Sequence, residues 1–147
     1  MSFLVDTNVL SAWSPGRAAV DPALAAWMEA ASDRLYLSAM TIAELEQGLA
    51  KLRREDAARK AEQLAAWLDA VLHLYAPRVL PLDAGVGRAL GRLAEHARAI
   101  GRPTGLADLI IAATAQQHGC LVLTRNLKHF APLGVAAHDP FESLPPR

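Results

Sequence analysis

The stretch from Pro103 to Asn126 constrains this chain more than any other. It opens as an apolar helix after Thr104 or Gly105, turns at Gly119 and runs on as an apolar strand that leaves through Thr124-Arg125-Asn126. Leu106, Leu109, Ile110 and Ala113 recur at helical spacing with Ile111 and Ala112 beside them, so a broad face must be buried. Thr104 or Gly105 can cap the start, and Gly119 can take the left-handed backbone that ends a helix. One carboxylate, Asp108, stands in the first turn of this otherwise apolar element. Attraction to the helix dipole, roughly 0.3 to 1 kcal/mol, is one account of it. Two further acids at comparable junctions supply another.

The first lies at the start of the chain, where Phe3-Leu4-Val5 reads as a buried strand leaving through Asp6-Thr7-Asn8. Ligands of open parallel sheets collect at the carboxyl ends of strands, so Asp6 stands where a site is expected. An Asp there also caps its own loop. Residues 9 to 32 read as helical, broken at Ser14-Pro15-Gly16 and restarted at Asp21-Pro22. Leu35 to Ser38 is a second strand. Thr41 and Glu44 then have capping-box spacing, which would turn Glu44 back onto the Thr41 amide. The same Glu44 also leaves a helix N-terminus near the sheet edge of Asp6. Glu46 lies about 200° round the helix from Glu44, so both cannot face one site.

Further on, Arg53 to Asp56 marks a corner and residues 55 to 76 an amphipathic helix. Val79 to Leu82 is a third strand, limited by Pro81, and Asp83 caps a helix from about Ala84 to Ile100 ended by Gly101. Gly85, Gly87 and Gly91 imitate a dinucleotide-binding loop poorly. The last glycine is one residue late and the run does not follow the first strand, so these are read as close-packing positions. Lys128 to Phe130 suggests a loop, Leu133 to Ala137 a short last strand, and the tail from Asp139 an irregular segment.

Short apolar strands alternating with helices predict an α/β fold, a mostly parallel sheet covered by helices on both faces. A length of 147 residues suits one domain spanning 1–147. Lys plus Arg and Asp plus Glu balance at 15 each, so no global basic field announces a nucleic-acid partner. A local patch serves as well. Cys120 is single and inside an apolar run, which fits the core of a protein from a reducing compartment. Neither a signal peptide nor an apolar run of about 20 residues is present, and the expectation is a cytoplasmic protein with no membrane span.

In such a sheet Asp6, Glu44 and Asp108 can converge at one edge. Two carboxylates about 4 Å apart repel by roughly 4 kcal/mol at an effective dielectric near 20, so the cluster must take up protons or a cation. Carboxylate oxygens select Mg²⁺, with Mn²⁺ as the alternative. His73, His96, His118, His129 and His138 show no paired zinc spacing. A carboxylate-held Mg²⁺ activates water for attack on a phosphodiester, which is nuclease chemistry. Ser38 and Cys120 have no neighbouring base in the sequence to make them nucleophiles.

The segments Phe3 to Asn8, Thr41 to Gly48, Asp108 to Ala115 and Leu123 to Phe130, in this order and spacing, together resemble the four motifs of PIN-domain ribonucleases. The resemblance is greatest to the VapC toxins of bacterial toxin-antitoxin pairs. It implies a three-layer α/β/α PIN-like fold, metal-dependent endonucleolytic cleavage of RNA, homodimerisation and inhibition by a VapB-type antitoxin, with operator DNA reached only through the antitoxin. It also implies Asp6, Glu44 and Asp108 as the catalytic, metal-binding acids, with Thr7, Asn8 and Thr124 in support. Asn126 stands where PIN domains often have Asp; its amide oxygen can coordinate but adds no charge, which bears on a second metal site. Arg125 is a candidate phosphate contact, or a solvated loop residue. Trp13, Leu24, Trp27 and Met28 are either core or part of a groove for an antitoxin helix. Two rival readings remain open. One is a catalytically weak PIN-fold module that binds RNA or protein, motivated by Asn126. The other is an aspartyl-phosphate phosphotransferase using Asp6, disfavoured because Asn8 stands where such enzymes place a second Asp.

Overall fold

The computed structural model describes residues 1–147. Its strands are β1 (Ser2–Val5), β2 (Leu35–Ser38), β3 (Val79–Leu80), β4 (Cys120–Leu123) and β5 (Ala137–His138). Its helices are α1 (Thr7–Leu10), α2 (Pro22–Ala30), α3 (Ala39–Arg54), α4 (Ala58–Tyr75), α5 (Ala84–Ala99), α6 (Leu106–His118) and α7 (Leu127–Phe130). The strands form one sheet in the order β3-β2-β1-β4-β5, and every pairing is parallel.

Alternation along the strands builds two cores from one sheet. Leu4, Cys120 and Val122 turn to the face covered by α5 and α6, where Val86, Leu93 and Ile111 meet them. Phe3, Val5 and Leu123 turn to the opposite face, onto Leu24 and Met28 of α2, Leu45 of α3 and Leu68 and Val71 of α4. A side-chain period of two thus produces the α/β/α layering. Every residue of α6 from Leu109 to Ala115 is buried, which is why that helix is apolar nearly all round. Leu106, expected on its buried face, is 66% exposed; the buried run begins one turn later. Gly119 ends α6 at φ 65°, a backbone only glycine adopts freely.

Several local expectations give way to tertiary context. Ser38, not Thr41, caps α3 and accepts from the Met40 N–H at 3.0 Å. Glu44 therefore sits beyond the first turn and closes no capping box. The segment from 9 to 32 holds α1, which already starts at Thr7, a 3₁₀ turn over Ser11–Trp13, α2, and the start of a second 3₁₀ turn at Ser32. β3 stops before Pro81, and the last strand is Ala137–His138, because Ala131–Leu133 winds as a 3₁₀ turn. Lys128 to Phe130 belongs to α7 rather than a loop. Of the three glycines in α5 only Gly85 is close packed, since a Cβ there would lie 2.9 Å from Gln117 Nε2. Leu24 and Met28 are core, and Trp27 sets its ring edge-on to Phe3 with centroids 5.0 Å apart. No helix is long and apolar enough to cross a membrane.

The sheet runs outward through β2 and β3 on one side of β1 and through β4 and β5 on the other. Such a reversal of strand order opens a crevice at the carboxyl ends of β1 and β4.

Candidate active site

Asp6 leaves β1 into that crevice. Val5 pairs with Leu123, and the Asp6 N–H donates to the Leu123 carbonyl at 2.9 Å, so the residue beside Asp6 is Thr124. The Thr124 hydroxyl donates to Asp6 Oδ2 at 2.7 Å, while Asp6 Oδ1 accepts the Thr7 N–H at 2.8 Å and so caps α1. Thr124 Oγ1 in turn accepts the Asn126 N–H at 3.0 Å and is reached by Asn8 Nδ2 at 3.4 Å.

Asp6 is only 3% exposed. Burial pushes its pKa up to about 6 against the two hydrogen bonds, which pull it down, and the charges of Asp108 and Glu44 add to the rise. The three acids thus share one electrostatic field although they come from β1, α3 and α6. Glu44 is half-buried, and its Oε1 accepts the Thr7 hydroxyl at 2.7 Å; Thr7 Oγ1 also lies 3.0 Å from Thr41 Oγ1. Thr7 therefore links the two acids, with its N–H on Asp6 and its hydroxyl on Glu44. Glu46 is exposed and outside this network.

Asp108, in the first turn of α6, has a partner that the sequence did not reveal. His129 Nδ1 lies 2.7 Å from Asp108 Oδ2. The available signal was a histidine one turn past a polar strand exit, and nothing in that pattern names a partner 21 residues away. The Asn126 side chain makes no hydrogen bond to any of the acids; its N–H serves Thr124. Arg125 is exposed, and its guanidinium lies over the Phe141 ring.

The donor set is carboxylate oxygen with one imidazole alongside, which fits a hard divalent cation. Burial first, and the neighbouring charges of Asp108 and Glu44 after it, disfavour the ionised Asp6, an effect that a cation would offset. The side chains as placed form no closed cage, since no three His, Cys, Asp or Glu groups are gathered tightly enough to hold an ion by themselves.

With this geometry, comparison with known proteins is direct. The PIN domain family matches residues 3–132, and the chain belongs to that family. VapC ribonuclease Y4jK of Sinorhizobium fredii is 39% identical over 142 residues, 95% of this chain and 97% of that protein. Toxin FitB of Neisseria gonorrhoeae is 36% identical over 140 residues, 94% of this chain and 97% of that protein. The crystal structure of FitAcB from Neisseria gonorrhoeae superposes with a TM-score of 0.82 at 35% identity, covering 96% of this chain and 99% of that one. FitAB bound to an IR36 DNA fragment superposes at 0.73 with 33% identity, covering 95% of each chain.

Proposed function

We propose that the protein is a metal-dependent endoribonuclease and the toxin of a toxin-antitoxin pair. The observation that carries the reading is the placement of Asp6, buried at the switch point of the sheet with its pKa raised by burial and by Glu44 and Asp108. Relatives named as a VapC ribonuclease and a FitB toxin, matched over nearly their whole length, support it. Asp6, Glu44 and Asp108 would hold Mg²⁺ or Mn²⁺. When bound, such an ion supplies Lewis-acid polarisation of a phosphoryl oxygen and lowers the pKa of water.

The chain's own residues set the stage for that chemistry. Thr124 and the Thr7 N–H fix the plane of the Asp6 carboxylate, one donor on each oxygen. The Thr7 hydroxyl orients Glu44, and His129 orients Asp108. These contacts fix the orientation of each acid before any substrate arrives, and on this reading that is the preorganisation on which electrostatic catalysis depends. A small VapB-type antitoxin is the partner on this reading, with operator DNA reached through it, as the FitAB complex bound to DNA suggests by analogy. The protein would act as a homodimer in the cytoplasm.

One observation favours a second reading, a PIN-fold module that binds RNA or protein with little catalysis: the acids form no closed cage, and Asn126 offers them no contact. Purified, antitoxin-free protein incubated with cellular RNA under Mg²⁺, Mn²⁺ or a chelator separates the two. The ribonuclease reading requires metal-dependent cuts that vanish in Asp6→Asn and Asp108→Asn while folding is retained. Intact RNA under every condition, with RNA still retained by the protein, establishes the binding module instead.

A further inference from the structure

Next to the acids, the carboxyl edge of the sheet carries a second arrangement that the proposed chemistry does not use. The Arg125 guanidinium lies 3.7 Å from the centroid of the Phe141 ring, close enough for a strong cation-π contact. Both partners are held by backbone. The Arg125 N–H donates to Asn8 Oδ1 at 3.2 Å, and the Thr124 N–H donates to the His138 carbonyl at 3.0 Å, which draws the tail against the β4 exit. Asp139 Oδ1 then accepts the Phe141 N–H at 2.9 Å and turns the ring toward Arg125. Trp13 backs Phe141 with ring centroids 6.5 Å apart.

Arg125 enters no ion pair, and its side chain is exposed. With Phe141 it forms one wall of an open cleft of about 290 Å³ that Asn8, Ser11, Arg17 and Asp21 also line, the Asp21 carboxylate being engaged by the Ala23 N–H as the cap of α2. Arg17 is likewise unpaired. The cleft neighbours Asp6, because Asn8 on its wall reaches Thr124 Oγ1 at 3.4 Å and that hydroxyl donates to Asp6 Oδ2. Phe141 lies beyond the residues 3–132 that the family matches, so this wall is built partly from the tail.

We infer that this cleft is a subsite for one nucleotide of a single-stranded RNA, flanking the scissile phosphodiester, with its base stacked on Arg125 and its phosphate facing Arg17. The inference rests on the ribonuclease reading. With the ring 3.7 Å behind it, the exposed Arg125 guanidinium keeps its other side open, and unpaired bases stack on arginine planes as they do on aromatic rings. Its N–H edge stays free to donate to a phosphate or a base edge. Because Phe141 already orders the long Arg125 side chain, less rotamer freedom is lost on binding. A carboxylate ligand would use the edge of the fork and gain nothing from the ring behind it.

The test is binding of short, labelled single-stranded RNAs to the full chain with chelator present, read by fluorescence anisotropy across a salt series. Arg125→Lys keeps the charge but loses the plane, and Phe141→Ala removes the support; each is expected to weaken binding roughly tenfold, with Phe141→Tyr binding as the parent does. Arg17→Ala is expected to flatten the salt dependence, which Arg125→Lys leaves unchanged. Parent affinity in both Arg125→Lys and Phe141→Ala overturns the subsite while the ribonuclease reading stands. Because Arg125 is exposed, its variant reports even if Phe141→Ala folds poorly. A parent protein that binds no RNA overturns the subsite, and the cleavage assay with Mg²⁺ or Mn²⁺ decides separately whether the ribonuclease reading falls with it.

Discussion

Thr124 Oγ1 donates to Asp6 Oδ2 at 2.7 Å across 118 positions of sequence, and both side chains are buried. The bond exists because Val5 and Leu123 are register partners, so the first residue past each strand is carried to the other. Thr124→Val keeps the shape and removes the donor. The loss leaves a buried carboxylate oxygen and the Asn126 N–H short of a partner, a cost of roughly 1 to 3 kcal/mol. Thermal denaturation is expected to show that loss in Thr124→Val and little of it in Thr124→Ser. Equal stability of both with the parent would show that the hydroxyl is not holding Asp6.

Asp6 also predicts how stability responds to pH. Its pKa rises from the ordinary 3.8 to about 6 on folding, so the folded state prefers the protonated acid. The advantage is complete below about pH 3.8 and is lost as the pH climbs through 6, a difference of about 3 kcal/mol by neutrality. Asp6→Asn has no such dependence. In chelator, the stability of Asp6→Asn relative to the parent is expected to grow across this window, reaching at most about 3 kcal/mol near pH 7. Denaturant unfolding at several pH values measures it, and a constant difference from pH 4 to 7 would refute the assignment. Added divalent cation is expected to stabilise the parent more than the variant.

A different role falls to His129, which holds Asp108 from α7 with 40% of its side chain exposed. Groups that orient a coordinating carboxylate typically contribute 10- to 100-fold to metal affinity. His129→Ala is expected to weaken Mn²⁺ binding by about tenfold, with His129→Asn closer to the parent because its amide can still donate. Calorimetric titration with Mn²⁺ separates two cases. Tighter binding in His129→Ala would mean that the imidazole competes with the cation for Asp108 rather than positioning it.

Much of this was legible in the sequence. Phe3-Leu4-Val5 ending at Asp6, and the apolar run from Leu109 ending at Gly119, are patterns in which neighbouring residues alone decide the structure. Legibility fails where a distant residue decides. Ser38 and Thr41 are both good caps, but α3 starts directly after β2, so Ser38 caps it and Thr41 is buried within the helix beside Thr7. β5 is two residues long and exists because the β4 exit pairs with it. The pairs His129 with Asp108 and Arg125 with Phe141 join elements whose relative placement no local pattern encodes.

Glu44 and Glu46 provide the sharpest functional contrast, because they differ little as residues and lie two positions apart on one helix. Glu44 accepts the Thr7 hydroxyl at 2.7 Å and contributes to the raised pKa of Asp6, whereas Glu46 is exposed to solvent. If the acids work as a set, removing one charge from the set weakens the electrostatic stabilisation of the transition state. A loss of about 2.7 kcal/mol there is a factor of roughly 100 in rate. Glu44→Gln is therefore expected to lower kcat/KM for RNA cleavage by about 100-fold, while Glu46→Gln stays within about twofold of the parent. The glutamine at 44 can still accept from Thr7, so the fold survives and the comparison reports on charge. Comparable losses in the two variants would show that net charge on α3, not the placement of Glu44 toward Asp6, governs the activity.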